Sequence, residues 1–177
     1  IDILRGYGSQ MGALVETIRL EPGSRPHDIV FNPAKTYAYV SLKGSGKIAR
    51  YHAQNRTRVT LDAEDTPTAL AISGDGDDLY ANRFISPDAQ GEVRHFDGAS
   101  GSGMAFSQVI ALEKDTVTLD DSIKARGLPN YLADIAISPD GETAWVSSKK
   151  DNIERGALRD SNPLTFESTV RAIITKI

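Results

Sequence analysis

The sequence contains no cysteine. Disulfides, thiolate metal sites and covalent haem attachment through a Cys-x-x-Cys-His motif are therefore excluded within this chain. No apolar run approaches the roughly 18 residues of a membrane-spanning helix. Basic residues never run longer than a pair, as at Lys149-Lys150. With a net charge of −4, the chain offers neither a stripe for nucleic acid nor attraction to an anionic membrane. The three histidines, His27, His52 and His95, are too scattered for a zinc signature. No Ser-His-Asp order, paired-carboxylate spacing or phosphate loop stands out, so no catalytic residue and no metal ligand is assigned. The glycine-rich stretches at 44–46 and 98–103 lack the strand-to-helix setting that phosphate binding needs.

What is present is a repeat. The 177 residues, 40% of them hydrophobic, suit one domain with a real core. Laid on itself, the chain aligns at "PHDIVFNPAKTYAYVSLK" (26–43), "PTALAISGDGDDLYANRF" (67–84) and "LADIAISPDGETAWVSSK" (132–149). Ile29, Leu70 and Ile135 share a column, as do Phe31, Ile72 and Ile137. Asn32, Ser73 and Ser138 open a turn. Tyr39, Tyr80 and Trp145 form an aromatic column.

Each copy reads as two strands around a tight turn. The first strand ("DIVF", "ALAI", "DIAI") is apolar throughout rather than alternating, so both faces are expected to be buried. The turns supply Pro, Asp and Gly where a reversal needs them. Third strands are read in "KIARYH" and "GEVRHFD", and fourth strands in "RTRVTLD" and "FSQVIALE"; "TVRAIITKI" is expected to close the third copy. The wider spacing of the last two copies is placed in "ISPDAQGE", "GASGSG" and "DDSIKARGLPN". The last reads as a short helix capped by Asp120 or Asp121 and ended by Gly127.

Four antiparallel strands per period of about 40 residues, with the innermost strand buried on both faces, is the pattern of β-propeller blades. The fold expected is all-β: one partial propeller domain over 1–177, with blades at 26–62, 67–119 and 129–177 and one or two strands before them. That makes about three and a half blades, expected to be part of a seven-bladed ring. An open stack exposes apolar blade faces. The remaining blades of a longer chain, or a second copy, are the expected partners. "IDIL" at the start reads as strand, so a processed chain or a fragment is expected.

At these residues the chain resembles the YVTN-type propeller repeats of bacterial proteins, a group that includes lactonase-like and cytochrome-associated members. "AISPDGETAWVSS" matches best, "PHDIVFNPAKTYAYVSL" follows, and "AISGDGDDLYAN" carries Gly74 in place of the proline. The resemblance implies a periplasmic or extracellular bacterial protein. It also implies three alternatives: a non-enzymatic binding or scaffold module, which is the reading taken; a lactonase-like hydrolase using His27; or a propeller that docks a c-type cytochrome domain held elsewhere. No cofactor is assigned to this chain.

His27 precedes the innermost strand and is expected near one mouth of the ring, where propeller loops converge. Arg25, Arg83, Arg126, Asn130, Tyr131 and Lys149 flank strand ends and are expected to line a polar pocket there for a small anionic ligand or a protein partner. His52 and His95 follow third strands and are expected on outer blade surfaces. Asp75, Asp77 and Asp78 cluster oxygen ligands of the kind calcium takes, but they occupy the slot that "SPDGET" fills in the third copy and lack the remaining spacing of an EF-hand loop. They and Asp140 are read as turn residues.

Overall fold

The computed structural model describes residues 1–4, 11–120, 125–153 and 169–177. Its strands are β1 (Asp2–Leu4), β2 (Leu14–Thr17), β3 (Pro26–Phe31), β4 (Tyr37–Leu42), β5 (Lys47–His52), β6 (Arg58–Asp62), β7 (Pro67–Ile72), β8 (Leu79–Arg83), β9 (Gln90–Asp97), β10 (Ala105–Glu113), β11 (Leu128–Ile137), β12 (Ala144–Asp151) and β13 (Val170–Lys176). They form four antiparallel sheets: the ribbon β1-β2, blade 1 (β3-β4-β5-β6), blade 2 (β7-β8-β9-β10) and the three strands of blade 3 (β11-β12-β13). "TVRAIITKI" is thus the third strand of its blade, hydrogen-bonded to β12. Of the expected helix, residues 121–124 lie outside the described residues, as do 154–168 of the tail; its expected end does not hold, because Gly127 bridges to Asp115 and Leu128 begins β11.

The repeat columns recur as register. Ile29 faces Val40, Leu70 faces Ala81 and Ile135 faces Val146. The turns recur as well. Lys35, Gly76 and Gly141 hold one position with left-handed φ of 55°, 82° and 77°. Their N–H groups donate to Asn32, Ser73 and Ser138 carbonyls at 2.8, 2.9 and 2.9 Å. Asp75 and Asp140 accept the N–H groups of Asp77 and Glu142 and the hydroxyls of Ser73 and Ser138. Those bonds, the serine hydroxyls first, hold both carboxyls below their ordinary range. Both acids shape turns.

Packing explains why the inner strands are apolar, and where that reading fails. In β7, Leu70 and Ile72 join Tyr39, Ile48, Leu79 and Phe96 in the core between blades 1 and 2. Ala69 and Ala71 of the same strand join Val93, Leu132, Ile135 and Val146 between blades 2 and 3. Of the three inner strands, only this middle one is covered on both sides by described residues. In β3, Ile29 and Phe31 are 45% and 56% exposed, and in β12 Trp145 is 47% exposed. Column by column, Ile29, Leu70 and Ile135 look toward the preceding blade. Tyr39, Tyr80 and Trp145 look toward the following one. Trp145 is the buried Tyr39 without its neighbour.

Polar contacts lock the stack. The Tyr39 hydroxyl donates to the Ala99 carbonyl, and the Arg50 guanidinium donates to the Gly101 and Ser102 carbonyls. Burial pushes the Tyr39 phenol up to about 12, against the pull of the Arg50 charge. Between blades 2 and 3, the Thr68 hydroxyl donates to Leu132 O at 2.9 Å and the Asn82 amide to Asp134 O at 3.0 Å. His95 corrects an expectation. It does not decorate an outer surface: its side chain is 13% exposed, stacks on Tyr80 at 4.9 Å and pairs with Asp78 at 2.7 Å.

Lys35 occupies a backbone conformation that costs an L-residue about 1 kcal/mol and glycine nearly nothing. Lys35→Gly is expected to stabilise the chain by about that amount in urea titration. Gly141→Ala, whose new Cβ meets no atom within 4 Å, is expected to cost about as much through backbone strain alone.

Candidate ligand site at one end of the blades

Register places the start of each inner strand beside the end of the next: Pro26 pairs with Leu42, Pro67 with Arg83 and Asn130 with Lys149. One end of the stack therefore gathers the same repeat positions from three blades. Immediately before or within the inner strand stand Arg25, Thr66 and Tyr131, with left-handed φ of 47°, 53° and 49°. Non-glycine residues hold such angles only where the surroundings enforce them. Here Lys43 N–H donates to Arg25 O at 3.1 Å, and Phe84 N–H to Thr66 O at 3.0 Å. Gly44 makes the approach possible, because a Cβ there would lie 2.0 Å from Gly23 O.

Lys43, Phe84 and Lys149 share a column of the repeat and meet in a row. The Lys43 Nζ sits 3.4 Å from the centre of the Phe84 ring. Phe84 meets Tyr131 edge-to-face at 4.8 Å, and Lys149 Nζ lies 3.6 Å over the Tyr131 ring. Ring faces attract cations, each contact contributing roughly 0.5–1 kcal/mol at exposed sites. Beside Lys43 opens a cleft of about 600 Å³, lined by Lys43, Gly44, Ser45, Gly46, Asp62, Glu64, Asp65 and Thr66. Its acids are engaged elsewhere. Glu64 pairs with Arg94, Asp65 with Arg83 at 3.4 Å, and Asp62 accepts the Glu64 N–H at 2.9 Å. Among the described residues, Lys43 and Arg25 have no carboxylate partner.

The residues expected from sequence divide clearly. Arg25, Tyr131 and Lys149 stand at this end, Lys149 also pairing with Asp151 at 3.3 Å. Arg83 is committed to structure, bound to Glu92 at 2.9 Å, to Asp65 and to the Ile85 carbonyl. Asn130 braces loops: its carbonyl oxygen accepts Ser86 N–H and Tyr131 N–H, and its amide donates to Asp151, each at 2.9 Å. His27 is exposed on β3, in a shallow cleft with Ile1, Pro26, Asp28, Ile29 and Val40, apart from the aromatic row. Sequence reasoning missed Lys43 and Phe84. Their signal was the column they share with Lys149.

Asp115 anchors the loop entering blade 3. It accepts the Val117 and Thr118 N–H groups, the Thr118 hydroxyl and the Lys150 ammonium. Burial pushes its carboxyl up, but these four bonds outweigh that and hold it well below the usual carboxylate range. A lowered folded value means stability that is present at neutral pH and lost as pH falls through that value. Asp115→Asn is expected to melt lower than the parent at neutral pH. The gap should close in strong acid, as measured by thermal melts across an acid pH series.

Several solved structures share the fold of this chain. A candidate 6-phosphogluconolactonase of Bacteroides uniformis superposes with a TM-score of 0.61 at 17% identity, over 97% of this chain and 50% of that one. Hydrazine synthase of Kuenenia stuttgartiensis gives 0.55 at 18% identity, over 91% and 38%. A periplasmic gluconolactonase of Pseudomonas aeruginosa gives 0.50 at 20% identity, over 93% and 45%. The fold is a partial β-propeller. The chain spans half or less of the length of these structures. No protein-family model and no curated protein matches it, so the likeness is one of fold.

Proposed function

We propose that this chain is the binding segment of a periplasmic or secreted β-propeller and receives a small organic anion at the end described above. The observation that carries the proposal is Lys43, seated on the Phe84 ring that meets Tyr131 and without a carboxylate partner among the described residues, with Arg25, equally without one, joined to it through the backbone at the same end. An anion with a flat or apolar part would place its charge between these cations and its body against the rings. Lys149 contributes less, since Asp151 already neutralises it. The likeness to a protein named as periplasmic supports the compartment. In this reading the ring is completed by further blades, seven in all, from a longer chain or a second copy.

A second reading is lactone hydrolysis, favoured by the names of two of the structural neighbours. Its candidate base is His27, whose exposed imidazole has no hydrogen-bond partner among the described residues.

Gluconate and 6-phosphogluconate titrated into the chain and followed by NMR test both readings. Binding is expected to weaken at least about tenfold when Lys43 and Arg25 are both changed to Ala, a loss of about 1.4 kcal/mol. Lys43→Arg should retain most affinity, and added salt should weaken it. Affinity indifferent to both substitutions would contradict the proposal. Hydrolysis of 6-phosphogluconolactone that disappears in His27→Ala would replace the binding role by the enzymatic one.

A further inference from the structure

The open face of blade 3 repeats the contact set by which blade 1 holds blade 2. Three groups of blade 1 reach across. Tyr39 enters the core and bonds to Ala99 O, and Arg50, directly opposite it in the ladder, binds the loop carbonyls of Gly101 and Ser102. The third is Asp28, at a bulge in β3 that turns its carboxylate sideways. Asp28 Oδ1 accepts the N–H of Ile29 in its own strand, and Oδ2 accepts the N–H of Leu70 in blade 2, both at 2.8 Å. Blade 2 needs that second bond, because Ala69 stands where blade 1 has Asp28 and cannot serve Leu70 itself.

Blade 3 presents the same three groups, and among the described residues nothing stands across from them. Trp145 occupies the Tyr39 position, half exposed. Lys176 lies opposite it in the ladder, as Arg50 does opposite Tyr39, and sits over the indole at 5.9 Å. Asp134 occupies the Asp28 position, again at a bulge, and its Oδ1 caps Ile135 N–H at 2.9 Å. Its Oδ2 has no hydrogen-bond partner among the described residues. Ile174, 71% exposed, extends the apolar face.

We propose that this face docks a further blade of the same repeat, and that Asp134 selects a blade lacking an acid at the Ala69 position. Such a blade brings an inner-strand N–H for Asp134 Oδ2 and loop carbonyls for Lys176. A second copy presenting blade 1 fits worse. Its Ile29 N–H is already given to its own Asp28. The outer half of its face is also covered by the β1-β2 ribbon, through Glu16 to Tyr51 and Arg56 and through Arg19 O to Arg58. The inference rests on the reading of the chain as part of a larger ring and is independent of the anion reading, because Trp145 lies outside the cation–aromatic row.

Trp145 is the sole tryptophan and reports on the face directly. The test appends a second copy of residues 53–113 after Ile177, which supplies a fourth strand for blade 3 and then a copy of blade 2. Trp145 emission is expected to shift blue and acrylamide quenching to fall relative to the parent. Ala69→Asp in the added copy, or Asp134→Asn, should restore much of the quenching. Trp145 left as accessible as in the parent, or shielding indifferent to both substitutions, overturns the proposal. A parent chain that forms dimers with shielded Trp145, by native mass and quenching over a concentration series, overturns it in favour of a second copy. Should the lengthened chain fail to fold, the parent still decides. Asp28→Asn, which leaves one acceptor oxygen for the Ile29 and Leu70 N–H groups, is expected to lower the melting temperature clearly more than Asp134→Asn, and equal losses would overturn the clip.

Discussion

The structure depends on β7 being sandwiched. Its large residues, Leu70 and Ile72, fill the core with blade 1, and its small ones, Ala69 and Ala71, let blade 3 approach on the other side. Complete burial of a leucine contributes roughly 1.5–3 kcal/mol, and Leu70, Leu79, Leu112 and Leu132 are all nearly or fully buried in these two cores. No single sheet here has a core of its own. Each blade is stable because a neighbour covers it, which is the logic of repeat architectures. The polar contacts that cross the same boundaries, from Asp28, Tyr39, Arg50, Thr68 and Asn82, fix how the blades sit on one another.

That stacking also builds the candidate site. Once the inner strands are parallel neighbours in space, equal repeat positions come into contact across blades. A lysine of blade 1 then reaches a phenylalanine of blade 2, which reaches a tyrosine of blade 3. The left-handed backbone recurs at Arg25, Thr66 and Tyr131; the residues just after the second strands, Lys43 and Phe84, bond to the first two, and the Asn130 side chain accepts the Tyr131 N–H. It turns successive loops the same way at the same end. A site made so is a property of the stack rather than of any blade, and no local motif announces it.

This accounts for what was legible in the sequence. The strands and turns were, because Pro139-Asp140-Gly141 and its counterparts carry their own turn chemistry, and the aromatic column marks a shared register. The burial of the inner strands was legible only for β7. An apolar pattern encodes a face to be covered, and whether Ile29 or Trp145 is covered depends on a neighbour the pattern does not contain. Among the residues singled out from sequence, Arg25, Tyr131 and Lys149 share the end of the blades by their repeat positions. The partners that hold Arg83 and Asn130, namely Glu92, Asp65 and Asp151, could not be read there because these acids lie outside the repeated columns. Lys43 and Phe84 were passed over because each is unremarkable in its own blade.

The central claim is that coverage by neighbouring blades, and not strand sequence, sets local stability. Amide hydrogen exchange along the three inner strands measures it directly. Exchange is predicted to be slowest in β7, at Leu70 and Ala71, and faster at the matching residues of β3, Ile29 and Val30, despite their equally apolar sequence. Equal protection of β3 and β7 would contradict the account.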